Sequence, residues 1–184
     1  MNKFFQCFAF SVCAVAAMFA ARCAVAHDGH AAHGASQTAA VVPSTRAVWR
    51  FTLATLEGDR FVRSSDFNGP VLVNFWSRDC PPCIAELPRL QAFANSNKDW
   101  AVLLVATDSA HDAQAFLSSR SITLTSLRAG TDTRALLRVA GNPSGALPFS
   151  RAQLASNTCF TKLGELSEWD FGKIHASCAL DAER

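Results

Sequence analysis

From residue 46 onward large apolar side chains recur in regular patterns, and their spacing changes twice before the end. In VWRFTL, Trp49, Phe51 and Leu53 alternate with Arg50 and Thr52, the period of a half-buried strand. Gly58-Asp59 supplies a turn, and Arg60 to Arg63 is placed to pair back as a hairpin. Gly69-Pro70 then breaks the chain before VLVNFW, Val71 to Trp76. A run this continuously apolar fits a strand covered on both faces, as parallel sheets require. Ile84, Leu87, Leu90 and Ala94 recur every three or four residues and predict an amphipathic helix. Val102 to Ala106 predicts a second buried strand, so strand, helix and strand form a right-handed βαβ unit. Further helices are predicted over His111 to Ser118 and Asp132 to Val139. After Leu147-Pro148-Phe149, a turn at Ser156-Asn157 joins two strands, the second running from Cys159 to Leu163. Ser167 with Asp170 three residues on resembles a capping box for a final helix. The order predicts one α/β domain over residues 46–184: an N-terminal β-hairpin, a βαβ unit, then a second hairpin and a helix.

Upstream of residue 46 the pattern is different. Met1-Asn2-Lys3 gives a positive start, Phe4 to Ala21 carries no charge, and Ala24-Val25-Ala26 is a small-x-small cleavage site. That order reads as a secretory signal peptide over 1–26. An uncleaved anchor is the other reading, since a span needs about 20 apolar residues. Gln6, Ser11 and many alanines dilute the run, and Arg22 before Cys23 argues against a lipoprotein signal. Residues 27–45, HDGHAAHGASQTAAVVPST, have almost no large side chains to offset ordering entropy and read as a flexible His/Ala-rich leader. The expected location is periplasmic or secreted, or the inner-membrane surface if the signal stays attached.

Cleavage changes the chemistry available. The chain has seven cysteines; Cys7, Cys13 and Cys23 leave with the signal, and Cys80, Cys83, Cys159 and Cys178 remain. An odd number becomes an even one in a compartment where disulfides persist. Losing Lys3 and Arg22 leaves 15 basic residues against 15 acidic ones, so no positive surplus points to nucleic acid.

WSRDCPPC, Trp76 to Cys83, carries the chemistry. A C-x-x-C where a buried strand turns into a helix puts Cys80 at the helix N-terminus, where free N–H groups and the dipole favour a thiolate. Cys83, one turn on, lies beneath it and can attack a mixed disulfide to release product. Pro81 and Pro82 are tolerated there because the first helical turn has no use for its N–H groups. Two other readings compete. Half of a zinc site would need Cys159 and Cys178 at a short spacing that they do not have. An inert structural disulfide across two residues would constrain little chain entropy.

DFNGPVLVNFWSRDCPPCIAELPRLQ resembles the periplasmic thioredoxin-like reductases of the TlpA/ResA/DsbE family. The likeness rests on VLVNFW, on Trp76 four residues before the first cysteine, on CPPC, on Glu86-x-Pro88, on the X-Pro of LPFS and on Gly164 of KLGEL. It implies a thioredoxin fold, with a central mixed β-sheet flanked by helices. It also implies Cys80 as nucleophile, Cys83 as resolving cysteine and Pro148 as a cis-proline facing them. A cis X-Pro bond would bring the backbone of Leu147 beside the disulfide, free to pair with an extended substrate. Partners implied are proteins with disulfides or cysteine pairs, such as apocytochrome c or a copper-site assembly factor, and a membrane electron donor.

The chain also departs from its relatives. Thioredoxin has a buried Asp six residues before the first cysteine; here it is Asn74, as in many of the TlpA-like branch. Asn74 cannot take the proton of Cys83, which leaves Glu86 or water to assist, unless Glu86 is a helix-surface charge. Asp79 stands where the family usually has Trp, and a carboxylate beside Cys80 opposes its thiolate. Arg78 partly cancels that charge, or both are solvated rim residues. With Pro81 and Pro82 removing two N–H donors, Cys80 lacks the help that a strong oxidant gives its thiolate, so reductase is the expected direction.

Cys159 is placed on a strand face with Thr161 and Leu163, and Cys178 on a helix face with Phe171 and Ile174. If that helix packs on that strand, the two sulfurs meet in a structural disulfide; otherwise both are free and buried. No cofactor is required. Cleavage after Ala26 would, however, make His27 an N-terminal residue followed by His30 and His33, a set that suits Cu(II) or Zn(II). A copper-binding metallochaperone using this leader and CPPC is therefore the alternative function, separable by copper titration without residues 27–33. His111 and His175 stand alone on helices. A peroxidase of related fold is a weaker rival: Ser77 mimics part of that motif, but Val73 replaces its upstream proline.

Overall fold

The computed structural model describes residues 47–182. The signal peptide and the leader with His27, His30 and His33 lie outside the described residues. Among these residues eleven α-helices and β-strands follow in order: β1 (Thr52–Ala54), β2 (Phe61–Arg63), β3 (Val71–Trp76), α1 (Pro81–Ser96), β4 (Ala101–Ala106), α2 (Ala110–Ser119), β5 (Thr125–Arg128), α3 (Thr133–Val139), β6 (Phe149–Gln153), β7 (Thr158–Leu163) and α4 (Glu168–Ala182). The fold is a mixed α/β, thioredoxin-like one.

The central sheet has the order β5-β4-β3-β6-β7. β3 pairs with β4, and β4 with β5, in parallel through the helical crossovers α1 and α2. β6 lies antiparallel to β3, and β7 antiparallel to β6 through the tight turn at 154–157. β1 and β2 form a separate antiparallel pair, tied to the β5 edge by a bridge between Thr55 and Leu127.

Alternation along β3 explains its continuous apolarity. Leu72 and Trp76 face one cluster with Leu87, Leu90 and Phe93 of α1, Leu117 of α2, and Phe171 and Ile174 of α4. Val71, Val73 and Phe75 face the other, with Trp49, Phe51 and Val62 from the N-terminal segment and Leu137 of α3. Both faces are dry, and each large side chain so buried contributes about 1.5–3 kcal/mol. The final helix starts as its spacing predicts: Ser167 N–H donates to Asp170 Oδ2 at 2.8 Å, and Asp170 N–H returns to Ser167 Oγ at 3.4 Å.

Two expectations need correction, and one strand, β5, carried no sequence signal. The first hairpin strand begins at Thr52, not at Trp49. Trp49 and Phe51 keep the predicted alternation of burial, but their N–H groups bond to the side chains of Gln153 and Ser64 instead of a ladder. β5 had no apolar signature, because Leu127 alone of its four residues is buried. Cys159 does not share a face with Thr161 and Leu163. Ala152 pairs with Phe160 and Gln153 with Thr158, so Cys159 is an extra, bulged residue. The bulge turns Cys159 to the same side as Phe160, against α1 and α4, while Thr161 stays on the opposite face near Trp49 and Arg151.

Candidate redox site

Cys80 is the N-cap of α1, with extended backbone (φ −110, ψ 99). Pro81 and Pro82 occupy the first two helical positions and have no N–H to offer. The first amide that can turn back is that of Cys83, which donates to Cys80 Sγ at 3.3 Å; that of Ile84 closes the helix onto Cys80 O at 3.1 Å. The two cysteines are joined in a disulfide with Cα atoms 5.2 Å apart. Cys83 is fully buried, and Cys80 is only partly buried. An incoming thiol or disulfide therefore meets Cys80.

The Leu147–Pro148 peptide bond is cis. Phe149, the next residue, pairs across the sheet with Phe75, which places Pro148 beside the end of β3 where the chain turns into CPPC. Pro148 O accepts the N–H of Gly164 at 2.8 Å, and Gly164 holds φ +97, a conformation that favours glycine. Leu147 itself has no backbone hydrogen bond to another described residue. Its N–H and C=O stand ready for an extended segment.

The loop into Cys80 is pinned by a residue that sequence reasoning did not single out. Asp108, just past β4, accepts the Ser77 hydroxyl at 2.9 Å and the Arg78 N–H at 2.8 Å. Arg78 reaches Asp112 at 3.4 Å and Asp79 only at 4.0 Å, while the Asp79 side chain is 83% exposed. Of the two readings of Asp79, the geometry supports the solvated rim residue. Trp76 is fully buried, with its ring 5.7 Å from that of Phe116.

Beneath the disulfide lies a buried polar group. Glu86 falls one turn after Cys83 on the core face of α1 and is completely inaccessible. Oε1 accepts the Asn74 amide at 2.6 Å, and Oε2 accepts the Leu166 N–H at 2.8 Å. Asn74 also donates to the hydroxyl of Ser150, at 2.9 Å. Burial raises the Glu86 carboxyl more than those two donors lower it, and the pKa rises to about 7. Glu86 is a core residue, not a helix-surface charge.

Cys159 and Cys178 are also joined, with Cα atoms 5.1 Å apart, which fastens the bulge of β7 to α4. His111 is 92% exposed beside Asp112. His175 lies against the rings of Phe93 and Trp100, with Nε2 2.8 Å from Asn97 Oδ1. Among the described residues no group of three His, Cys, Asp or Glu could hold a metal, and no helix is long and apolar enough to cross a membrane.

The AhpC/TSA family model matches residues 45–135. The chain is 31% identical over 81 residues to sporulation thiol-disulfide oxidoreductase A of Bacillus subtilis, covering 44% of this chain and 47% of that protein. The match thus spans about half the length of that curated relative. Among solved structures, a secreted disulfide oxidoreductase of Mycobacterium tuberculosis homologous to E. coli DsbE superposes with TM-score 0.58 at 23% identity, covering 68% of this chain and 95% of that one. A DsbF homologue from Corynebacterium diphtheriae gives TM-score 0.62 at 24% identity, covering 72% and 87%. StoA from Bacillus subtilis gives 0.57 at 19%, covering 70% and 98%. At these identities the structural likenesses establish the fold.

Proposed function

Because the AhpC/TSA family model matches residues 45–135 and the fold is thioredoxin-like, we propose that this chain is a thiol–disulfide oxidoreductase of the DsbE/StoA type, working as a reductase on partner proteins. The observation that carries the reading is the Cys80–Cys83 disulfide at the start of α1, and the cis Leu147–Pro148 bond just before β6 supports it. In the reduced state the Cys80 thiolate attacks one sulfur of a partner's disulfide. A Cys80–partner bond forms, the partner's own S–S bond breaks, and its second sulfur leaves as a thiolate. Cys83 then loses its proton and attacks Cys80, so the Cys80–Cys83 bond forms and the partner's first sulfur departs. Two electrons have passed to the partner, which takes up two protons.

Each step has a residue placed to serve it. Leu147, with free backbone groups, can hold the partner strand across the disulfide. Glu86, near pH 7 between its two states and one turn from Cys83, is suited to accept the proton of the buried thiol. The oxidised pair must be re-reduced by a dithiol carrier, in this reading one held in the membrane. The partners suggested by the family resemblance are apocytochrome c or the copper-site cysteines of an assembly factor, in a periplasmic setting.

The direction is tested by mixing the reduced protein with an excess of a disulfide-bridged peptide and measuring peptide thiols as Cys80–Cys83 closes. Thiols should appear in proportion to protein and vanish in Cys80→Ser. Equal thiol release by the Cys80→Ser protein would defeat the reading.

A further inference from the structure

Arg151 is a charged residue in the middle of a central-sheet strand, 5% exposed, paired with Val73 and so on the sheet face away from α1. Four of its five guanidinium N–H groups are hydrogen-bonded to described residues, all of them neutral, and the second N–H of Nη1 is left for a ligand. Nε donates to Gln153 Oε1 at 3.2 Å, Nη1 to Ala140 O at 2.7 Å, and Nη2 to Ala47 O and Thr158 Oγ1. Ala140 caps α3, so the helix C-terminus offers roughly half a negative charge. No carboxylate among the described residues supplies the rest, and burial pulls the Arg151 pKa down to about 10. A buried charge without a counter-charge is costly.

The surroundings add to this positive potential. Arg151 lines a cavity of about 570 Å³ together with Arg50 and Arg138, both exposed, and neither forms an ion pair with a described residue. Apart from Thr161, the rest of the wall is apolar, with Trp49, Pro143 and Val139 as its largest side chains, the last 65% exposed at the rim. The chain upstream has little to neutralise it with, because Asp28 is the one acidic side chain in its first 46 residues. Gly141, at φ +104, lets the α3–β6 loop pass over the guanidinium, where a Cβ would stand 3.2 Å from Nη1.

From this combination we infer that the cavity is a binding site for an amphipathic anion, an acidic head on an apolar body. The head meets the guanidinium groups of Arg50, Arg138 and Arg151, and the body lies along Trp49, Val139 and Pro143. Guanidinium groups pair with carboxylates through two parallel hydrogen bonds, which favours a planar acidic head. The lining of this cavity includes none of Cys80, Cys83, Leu147 and Pro148.

The test is a titration of the oxidised, isotope-labelled protein with octanoate and, separately, with inorganic phosphate, followed by amide NMR shifts. Octanoate should saturate a single site, with the largest shifts at Val139, Gly141 and Thr161. Phosphate at the same concentrations should not saturate. The double variant Arg50→Gln/Arg138→Gln replaces two exposed side chains, should fold as the parent does, and should bind octanoate at least tenfold more weakly. Three outcomes overturn the inference: no saturable octanoate binding, unchanged affinity in the double variant, or phosphate binding as tight as octanoate.

Discussion

The side-chain amide of Asn74 donates to Oε1 of Glu86 at 2.6 Å, in a space that neither residue shares with solvent. A strand residue thus holds a helix carboxyl beneath the redox pair, and the Leu166 N–H holds its other oxygen from the loop before α4. Both donors favour the ionised form, burial opposes it, and burial is the stronger effect.

This balance fixes a sign for pH dependence. With the Glu86 pKa raised from 4.5 to about 7, the folded protein binds more protons than the unfolded chain within that interval. Stability therefore falls as pH rises from about 4.5 to about 7. Denaturant midpoints of the oxidised protein across this window should decline, and those of Glu86→Gln should be flat by comparison. Parallel slopes would mean that Glu86 does not hold its proton. In the reduced protein the same substitution should slow the release of a mixed disulfide by about 100-fold or more, the scale of a lost general base.

Asp170 works in the opposite direction. Burial raises its carboxyl, but hydrogen bonds from Lys162 and from the hydroxyl and N–H of Ser167, with the charge of Lys162, together outweigh it and bring it to about 2. Its contribution is present above about 3.8 and is lost as pH falls toward 2. Acid unfolding followed by circular dichroism should shift to higher pH in Asp170→Asn. An unmoved acid transition would show that the contacts at the start of α4 carry no pH-linked stability.

The Cys159–Cys178 bond closes a loop of 19 residues in sequence separation between the bulge of β7 and α4. Cys159→Ser/Cys178→Ser should lose about 3 kcal/mol in urea unfolding, the chain-entropy value for a loop of this size. The variant should still form the Cys80–Cys83 disulfide. A loss well under 1 kcal/mol would show that the bridge adds nothing to a helix already held by Phe171 and Ile174.

With its side chain 83% exposed, Asp79 is screened from Cys80 by water. Asp79→Asn should leave the reduction potential of the pair unchanged, as measured by equilibration in glutathione buffers. A more oxidising variant would show that the carboxylate acts on the thiolate after all.

Much of the site was legible because its signals are local. The change from continuous apolarity in VLVNFW to three-and-four spacing after CPPC marks the strand–helix junction, and the junction places both thiols. Glu86 was harder to read, since a charge three residues after Cys83 resembles a surface position until β3 and the loop before α4 are packed against it. Asp108 and Ser150 carried no signal in the chain, because each meets a partner that lies 31 or 76 positions away in sequence. Cys159 defeated alternation for a different reason: one bulged residue inverts the face of everything before it. Arg151 was invisible to periodicity, since an arginine flanked by Ser150 and Ala152 in a strand reads as a solvent-facing residue.

The central claim is that Cys80 attacks a partner and Cys83 resolves the product, and one trapping measurement tests it directly. Cys83→Ala, expressed in its native host and quenched with acid and alkylating agent, removes the thiol that releases the partner. The account predicts a higher-mass species on non-reducing gels that reductant collapses, with the link at Cys80 by peptide mass mapping. Cys80→Ala should trap nothing, because Cys83 is buried. Trapping by Cys80→Ala, or none by Cys83→Ala with the protein present and folded, would contradict it.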